Sequence, residues 1–421
     1  MTQPMRLPQG TALAVALRWD AATEVPVGRL GMRDRRVLFE FDPAFLAAGV
    51  DISPFHLRRQ PGVLEVREPM FDNLPGVFND SLPDGWGRLL LDRTARRHGI
   101  APETLTPLDR LAHVGTDGIG ALVYRPVLDT GGGDETIDLD TVAEASRAVL
   151  EGSADDLLDD LRRVGGSPQG ARPKALIQIE EATGHITDAW RDRGAGWRHF
   201  LVKFATPSDP IDVGPIELAY ARMAAAAGVL VPPSHLLPSR IGPGWFASAR
   251  FDRDGARRMH VVTAAGLLHA DFRMPSLDYV DLAKATVRLT RDHRAGEAMF
   301  RLAVFNVLAH NRDDHAKQFS FLMDQSGVWS LAPAYDLTFS AGPGGEHSTS
   351  VAGEGRNPTR AHLLDVADAA GLSRSRAVAA IEQARAAVAR WPELAREAGV
   401  SSASADQIGA VVRARGGAAA R

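Results

Sequence analysis

The chain has 421 residues, of which 45% are hydrophobic and 24% are charged, a composition typical of a globular protein with a large core. Its net charge of −4 does not indicate strong nucleic-acid binding, and the lack of cysteine excludes disulfides, thiolate metal sites and cysteine nucleophiles. We expect a cytoplasmic protein, because the start lacks a signal-peptide apolar region and no apolar run approaches the ~18 residues of a membrane span.

The first third of the chain predicts a β-rich module. Residues 12–41 read as short strands, with Gly28 and Gly31 as breaks. The strand GIGALVYRP (Gly118–Pro126) closes this module, and TGGGDE (Thr130–Glu135) is the best linker candidate in the chain.

A loop-rich stretch at 50–87 contains five prolines and predicts no helix before Arg88–Arg97. Asp80, Asp84 and Trp86 in this stretch are either a ligand cluster or, as we favour, turn-forming acids and a packed indole.

A glycine-rich segment, VGGSPQGARPKALIQI, precedes a predicted strand at Ala175–Ile179. Glycines let backbone N–H groups approach phosphate oxygens, and Arg172 and Lys174 add positive charge. The segment is not a Walker A loop, since Ala171 and Arg172 stand where Lys and Ser/Thr would be, and no helix follows as in a Rossmann fingerprint. Alone, it is either a phosphate-binding loop or a surface turn.

Lys203 stands among apolar residues of a predicted strand, where an unpaired ammonium is costly. Its ammonium either extends to solvent or reaches an ATP phosphate. Pro215 opens a predicted helix with Glu217 in its first turn. Glu217 is thus either a helix-start acid or the partner of Lys203, as in the lysine–glutamate pair of kinases.

The segment GWFASARFDRDG predicts a strand with a hinge between two lobes at Ala249, Arg250 and Phe251. The chain then becomes helical, with VVTAAGLLHA and LDYVDLAKATVRL as two predicted segments and a helical tail over 358–416.

The stretch Ala298–Ser340 combines a helix, a polar loop, a hairpin and an acid. Apolar residues at helical spacing predict a helix buried nearly all round, followed by the charged loop His310–Gln318. Phe319–Met323 and Val328–Leu331 read as two strands, and Asp336 follows them.

This is the order of parts in a kinase active site. Asp313 would take up or orient the proton of the substrate hydroxyl. Gln318, five residues later, and Asp336, beyond the hairpin, would each hold a metal ion. The spacing favours this interpretation over a solvated loop with a chance carboxylate.

These segments together resemble the HipA family of serine/threonine protein kinases, the toxins of HipBA-type toxin–antitoxin modules. The resemblance rests on a set of motifs in matching order: S-P-x-G-A-R-P-K-A (Ser167–Ala175), Lys203, RFDR (Arg250–Arg253), N-x-D-D-H-x-K-x-F-S (Asn311–Ser320) and A-P-x-Y-D (Ala332–Asp336). It implies an α+β, two-lobed protein-kinase-like fold with an antiparallel-sheet N-lobe, a helical C-lobe and an additional N-terminal β-rich subdomain. We expect boundaries at 1–128, 135–250 and 251–421.

The resemblance also implies roles for single residues. Asp313 matches the catalytic aspartate; Lys317 would neutralise the transferring phosphate, and His315 would orient the loop. Asp336 and Gln318 match the metal ligands, but the family usually has Asn at the second position, and the extra methylene of Gln displaces the oxygen from an octahedral Mg²⁺ site. The residues expected at ATP are Lys203, Gly166, Ser167, Gly170, Ala171, Arg172, Lys174, Glu217, Ala249, Arg250 and Phe251.

We therefore expect an ATP- and Mg²⁺-dependent protein kinase. The family implies an aminoacyl-tRNA synthetase or another translation protein as substrate, and inhibitory autophosphorylation at the serine that matches Ser167. A small helix-turn-helix HipB-like antitoxin would be the partner, DNA would be contacted only through it, and no membrane is involved.

Three alternatives remain open. One is a small-molecule phosphotransferase on the same fold, and another is a pseudokinase or binding module, supported only by Gln318. The third is a metal-dependent hydrolase using His310, Asp313, Asp314 and His315, which lacks a second ligand cluster.

Overall fold

In the computed structural model, the described residues are 4–128, 136–153, 157–165, 170–190 and 193–418. The chain forms two compact units. The first comprises the chain up to Asp209 with Ala247–Val262 and Met323–Gly327, and the second comprises Pro210–Phe246, Thr263–Leu322 and the chain from Val328. The expected three-part division stays a prediction. No helix among the described residues is long and apolar enough to cross a membrane.

The first unit contains an antiparallel sheet of five strands in the order β4-β3-β2-β1-β5. The strands are β1 (Leu13–Arg18), β2 (Glu24–Arg33), β3 (Arg36–Phe41), β4 (Val63–Glu65) and β5 (Leu122–Arg125). The predicted breaks at Gly28 and Gly31 are wrong, because β2 runs through both. At Gly28 the register with β1 shifts, and a Cβ would lie 2.2 Å from the Glu40 carbonyl oxygen, so only glycine fits.

Among the described residues of the first unit, the helices before its second sheet are α1 (Pro43–Ala48), α2 (Gly76–Asn79), α3 (Gly85–Arg97), α4 (Pro107–Val114), α5 (Leu139–Leu150) and α6 (Leu158–Gly165). The prediction that no helix precedes Arg88 is wrong, since α2 and the first turn of α3 lie in that stretch. The packed indole is confirmed, because Trp86 is buried in a core cluster built from α3, α5 and α6.

The second sheet of this unit places β6 (Lys174–Glu180) between β7 (Ile186–Asp188) and β8 (Trp197–Lys203), antiparallel to both. The next strands along the chain are β9 (Ser234–Leu237), β10 (Trp245–Ala249), β11 (Arg253–Asp254), β12 (Arg257–Arg258) and β13 (His260–Thr263). The VVT part of VVTAAGLLHA is thus strand, and its predicted helix is restricted to α8 (Ala264–Leu268). β-branched residues at 261–263 favour extended backbone there.

A buried ion cluster holds the RFDR motif against the segment before β5. The Asp252 carboxylate accepts hydrogen bonds from Arg250 Nη2 at 2.7 Å, from Arg253 Nη1 at 2.6 Å and from the Gly120 N–H at 2.7 Å. Burial by itself would raise the pKa of Asp252, but the two guanidinium groups outweigh it and hold the pKa well below its ordinary value. Arg253 also donates to the Gly118 carbonyl at 3.1 Å.

The second unit is mainly helical. Its further helices are α7 (Val213–Ala226), α9 (Tyr279–Thr290), α10 (His293–Leu308), α11 (Arg360–Ala369), α12 (Arg374–Ala389), α13 (Trp391–Ala398) and α14 (Ser402–Ala418). Its remaining strands are β14 (Leu277–Asp278), β15 (Ser320–Met323), β16 (Trp329–Leu331) and β17 (Thr349–Ser350), of which β14 and β17 pair in parallel. The buried helix, the hairpin and the helical tail predicted from the sequence are confirmed.

The tail helices pack on the helices that lead to the candidate site. Tyr220 of α7 is fully buried, and its ring centroid lies 5.4 Å from that of Trp391 and 6.4 Å from that of Phe305 in α10. Its hydroxyl donates to the Ala309 carbonyl at 2.8 Å, which satisfies a carbonyl just beyond the end of α10.

Asp252→Asn is expected to destabilise the protein by about 3–5 kcal/mol, because it leaves two buried guanidinium groups without their counter-charge. The matched control is Glu40→Gln, which removes the exposed ion pair with Arg29 and should cost less than about 1 kcal/mol. Urea denaturation measures both free energies of unfolding. Equal losses for the two variants would contradict a structural role for the buried cluster.

Candidate active site

The polar loop after α10 begins with a sharp change of direction. His310 has a left-handed backbone with φ of +56° and stacks on Phe339 with ring centroids 5.5 Å apart. Ser340 N–H donates to the His310 carbonyl at 3.1 Å, and Asn311 forms a parallel bridge with Ser340. The start of the loop is therefore held against the segment that follows Asp336.

Asp314 lies at the centre of this loop and has no solvent exposure. Its Oδ2 accepts the Tyr279 hydroxyl at 2.8 Å and lies 2.8 Å from His347 Nδ1. Its Oδ1 accepts the backbone N–H groups of Ser348 at 2.8 Å and Thr349 at 3.3 Å. Four donors thus compensate the burial of the carboxylate.

The network extends from Asp314 to helix α10. Asn306 in α10 donates its amide N–H to the Tyr279 hydroxyl at 2.9 Å, and Asn311 donates to Asn306 Oδ1 at 3.0 Å. Asp313, by contrast, has an exposed side chain next to the buried Asp314. The loop therefore exposes one of its two adjacent acids to solvent and buries the other in the hydrogen bonds that hold the loop's shape.

A single 3₁₀ turn, Ala316–Gln318, follows and is capped by His315. His315 Nδ1 accepts the Lys317 backbone N–H at 3.2 Å, which agrees with a loop-orienting role. The Lys317 side chain is buried, and its Nζ lies 4.2 Å from the ring centroid of Phe272, a cation–π distance. The Phe272 ring lies 6.0 Å from that of His315, so it contacts both proposed loop residues.

Gln318 and Asp336 are brought together across the hairpin. Gln318 Nε2 donates to Asp336 Oδ2 at 2.9 Å, and Asp336 has a left-handed backbone with φ of +56°. Tyr335 donates its hydroxyl to the Lys317 carbonyl at 2.5 Å, and its oxygen lies 2.7 Å from Ser320 Oγ. The segment that carries Asp336 is thus fixed directly to the polar loop after α10.

The donor set at this point fits Mg²⁺. A carboxylate and an amide are hard oxygen ligands, and Mg²⁺ is commonly held by one or two protein oxygens together with substrate phosphates. The described residues contain no group of three or more His, Cys, Asp or Glu side chains that could hold a metal on their own. Asp336 and Gln318 would hold the ion through their side-chain oxygens.

In the first unit, Lys203 lies directly opposite Lys174 in the β6–β8 register. Residues opposite one another in an antiparallel pair share a face of the sheet, so the side chains of Lys174 and Lys203 leave the sheet side by side on one face. Arg172 is engaged with Asp209, its Nη2 donating to Oδ1 at 2.8 Å. Burial would raise the pKa of Asp209, but the hydrogen bond from Arg172 helps hold it below its ordinary value.

Other predicted residues lie as follows. Gly166 and Ser167 lie outside the described residues. Glu217 is buried in the second turn of α7, so its placement in a first turn is wrong, because the helix starts at Val213 rather than Pro215.

The predicted hinge residues follow β10 in the chain. Ala249 ends β10 and Phe251 is half-buried. Arg250 donates its backbone N–H to His199 of β8 at 2.9 Å, while its side chain belongs to the ion cluster with Asp252.

Sequence reasoning missed three contributors to the site: Asp314 as a structural acid, Phe272 and Tyr335. The Tyr within A-P-x-Y-D was the only available signal, because a polar aromatic beside a predicted metal ligand commonly has a hydrogen-bonding task. Phe272 lies 45 residues before Lys317 in the chain, and no local pattern links the two.

Asp314→Asn is expected to lower the free energy of unfolding by about 2 kcal/mol or more, because an amide NH₂ cannot accept the hydrogen bonds that the carboxylate oxygen accepts. Asp313→Asn is the matched control at the neighbouring exposed position and should change it by less than about 0.5 kcal/mol. Urea denaturation distinguishes the two. A stable Asp314→Asn protein would contradict the assigned division of labour between the two acids.

Comparison with known families places two domains along the chain. The model of the HipA-like C-terminal domain matches residues 166–391, and that of the HipA N-terminal domain matches residues 21–125. No curated protein sequence matches the chain.

Solved structures give a match over nearly the whole chain. A chain from the complex of the Shewanella oneidensis MR-1 toxin–antitoxin proteins HipA and HipB with their operator DNA is 17% identical, with a TM-score of 0.68, covering 96% of this chain and 95% of that one. The Helicobacter pylori proinflammatory kinase CtkA is 14% identical, with a TM-score of 0.37, covering 52% of this chain and 87% of that one. The first match confirms the α+β fold class. Because the C-terminal-domain model alone spans more than half of the 421 residues, this chain belongs to the HipA family.

Proposed function

We propose that this HipA-family protein is a kinase that transfers the γ-phosphate of ATP to a serine or threonine of a protein. The observation that carries the proposal is the arrangement of acids in the second unit. Asp313 is exposed on a loop fixed by the buried Asp314, and Asp336 is held to Gln318 on the same loop at 2.9 Å. This arrangement supports the proposal because the proposed base and the proposed metal-binding acid belong to one hydrogen-bonded scaffold.

The residues of this loop have distinct chemical tasks in the proposal. Asp313 accepts the proton of the attacking hydroxyl, and Lys317 provides positive charge near the transferred phosphate. Bound Mg²⁺ would neutralise phosphate charge, with Asp336 and Gln318 as its protein ligands. Phe272 restricts the Lys317 ammonium by the cation–π contact at 4.2 Å.

The first unit supports nucleotide binding through concentrated positive charge. Lys174 and Lys203 occupy opposite register positions on one face of the sheet, so two ammonium side chains are available there for the phosphates of a nucleotide. Among the described residues, the nucleotide contacts proposed from the family are Gly170, Ala171, Arg172, Lys174, Lys203, Glu217, Ala249, Arg250 and Phe251.

Substrate and partner are proposed from the family. The translation machinery, including aminoacyl-tRNA synthetases, supplies the candidate protein substrates. The complex of the Shewanella HipA with HipB and operator DNA supports a small HipB-like antitoxin as partner. A net charge of −4 agrees with DNA contact through such a partner rather than through this chain.

Inhibitory autophosphorylation at Ser167 is also proposed. A phosphate there would add a charge of about −1.5 to −2 to the segment that the family implies covers the ATP phosphates, and repulsion would displace it. Intact mass of the parent and of Ser167→Ala after incubation with Mg²⁺-ATP tests this site.

Asp313→Asn is expected to abolish phosphoryl transfer while retaining ATP binding, because the amide cannot accept the hydroxyl proton. Incubation of a bacterial lysate with γ-labelled ATP, followed by phosphoproteomics, compares the variant with the parent. Label on protein Ser or Thr that disappears in the variant supports the proposal. Label only on small acceptors would indicate a small-molecule phosphotransferase, and ATP binding without any transfer would indicate a pseudokinase.

Gln318→Asn is expected to lower the Mg²⁺ concentration needed for half-maximal transfer, because the shorter amide places its oxygen nearer the position that octahedral coordination requires. Gln318→Leu is the control that removes the oxygen and should raise that concentration at least tenfold. A Mg²⁺ titration of the initial rate measures both. An unchanged titration in both variants would exclude position 318 from the metal site.

A further inference from the structure

The segment Asp84–Trp86 has no task in the chemistry above, yet it contacts the glycine-rich segment directly. The Gly170 N–H donates to Asp84 Oδ1 at 2.5 Å, and the Trp86 N–H donates to the Gly170 carbonyl at 3.0 Å. Both backbone polar groups of Gly170 are thus bound by two residues at the start of α3, Asp84 and Trp86.

The two backbones are in close contact as well as hydrogen-bonded. Gly85 has φ of +42°, and a Cβ there would lie 2.4 Å from the Gly170 carbonyl oxygen and 2.7 Å from Ala171 Cα. Gly170 has φ of +103°, and a Cβ there would lie 2.3 Å from Lys174 Nζ. The Lys174 ammonium therefore lies directly over Gly170, in the space that the Cβ of any other residue would occupy.

Asp84 does not make the hydrogen bond that is usual for an aspartate at the start of a helix. It is the N-cap residue of α3, where an aspartate normally accepts N–H groups of its own helix, but within the described residues its side chain makes no capping hydrogen bond. Its Oδ1 instead accepts the backbone N–H of Gly170, 86 residues away in the chain. A local capping role does not explain the residue.

The segment is itself firmly anchored. Trp86 is 1% exposed and packs with Leu90 and with residues of α5 and α6. Its indole Nε1 lies 3.7 Å from where a Cβ of Gly165 would be, at the end of α6. The anchor of Asp84 is therefore the hydrophobic core of the first unit.

We propose that Asp84 is a positioning residue for the nucleotide: by fixing Gly170 it fixes the Lys174 ammonium that binds a phosphate of ATP. This inference rests on the proposed kinase function. The Asp84–Gly170 bond is charge-assisted, and its loss should weaken binding of ATP about tenfold. The effect should fall on nucleotide affinity rather than on the transfer step, since Asp84 does not belong to the catalytic loop.

The test measures equilibrium binding of a fluorescent ATP analogue and amide hydrogen exchange at Gly170. Asp84→Ala should bind about tenfold more weakly and lose exchange protection at Gly170, while protection in β6 is retained. Asp84→Asn keeps an acceptor oxygen and should stay within about threefold of the parent. Asp84→Ser suits an N-cap but is too short to reach Gly170, so it should behave as Asp84→Ala even where the alanine variant folds poorly.

The matched control is Asp42→Ala, which removes an aspartate that does cap its own helix, α1, by accepting the Ala44 and Phe45 N–H groups. This variant should lose stability but keep the parent affinity for the nucleotide. Parent-like binding by both Asp84→Ala and Asp84→Ser would overturn the inference. A parent protein that binds no ATP would instead overturn the proposed function on which the inference rests.

Discussion

The hydrogen bonds to the buried carboxylate of Asp314 hold together the segments from which the candidate site is built. Tyr279 brings in α9, Thr349 brings in β17, and Asn306 connects the network to α10. A buried carboxylate without partners is very costly, so alternative arrangements of this loop are strongly disfavoured. Burial of this one acid is thus what allows its neighbour to stand exposed in a defined position.

Much of the second unit can be predicted from the sequence, because its signals are local. The helical spacing of apolar residues predicts α10. Two strand-like runs joined by turn residues predict the hairpin β15–β16, and each predicted strand starts within one residue of the observed one. The spacing from Asp313 to Gln318 and Asp336 then predicts a site for phosphoryl transfer. What local pattern cannot show is which of two adjacent acids is buried, since His347, more than 30 residues away, is one of the groups that decides it.

Two of the wrong predictions, at Gly28 and at the start of α3, originate in long-range contacts. Gly28 looks like a strand break, but close approach to Glu40 makes it part of a continuous strand. The proline-rich stretch before α3 looks like loop throughout. The helix nevertheless starts at Gly85, whose backbone packs against Gly170. Glycine lowers helix propensity locally, and only the tertiary contact explains its presence in the first turn.

The ion cluster around Asp252 has a consequence for how the family domains relate to one another. The N-terminal-domain match ends at residue 125 and the C-terminal-domain match begins at 166, which suggests two separable modules. Yet Asp252 accepts the Gly120 N–H, so the cluster draws its partners from both modules and lies within one compact unit. The C-terminal-domain match also extends into the second unit, so the boundary between the two family models does not coincide with the boundary between the compact units. Removing the N-terminal module would leave the buried Asp252 carboxylate without one of its hydrogen-bond donors.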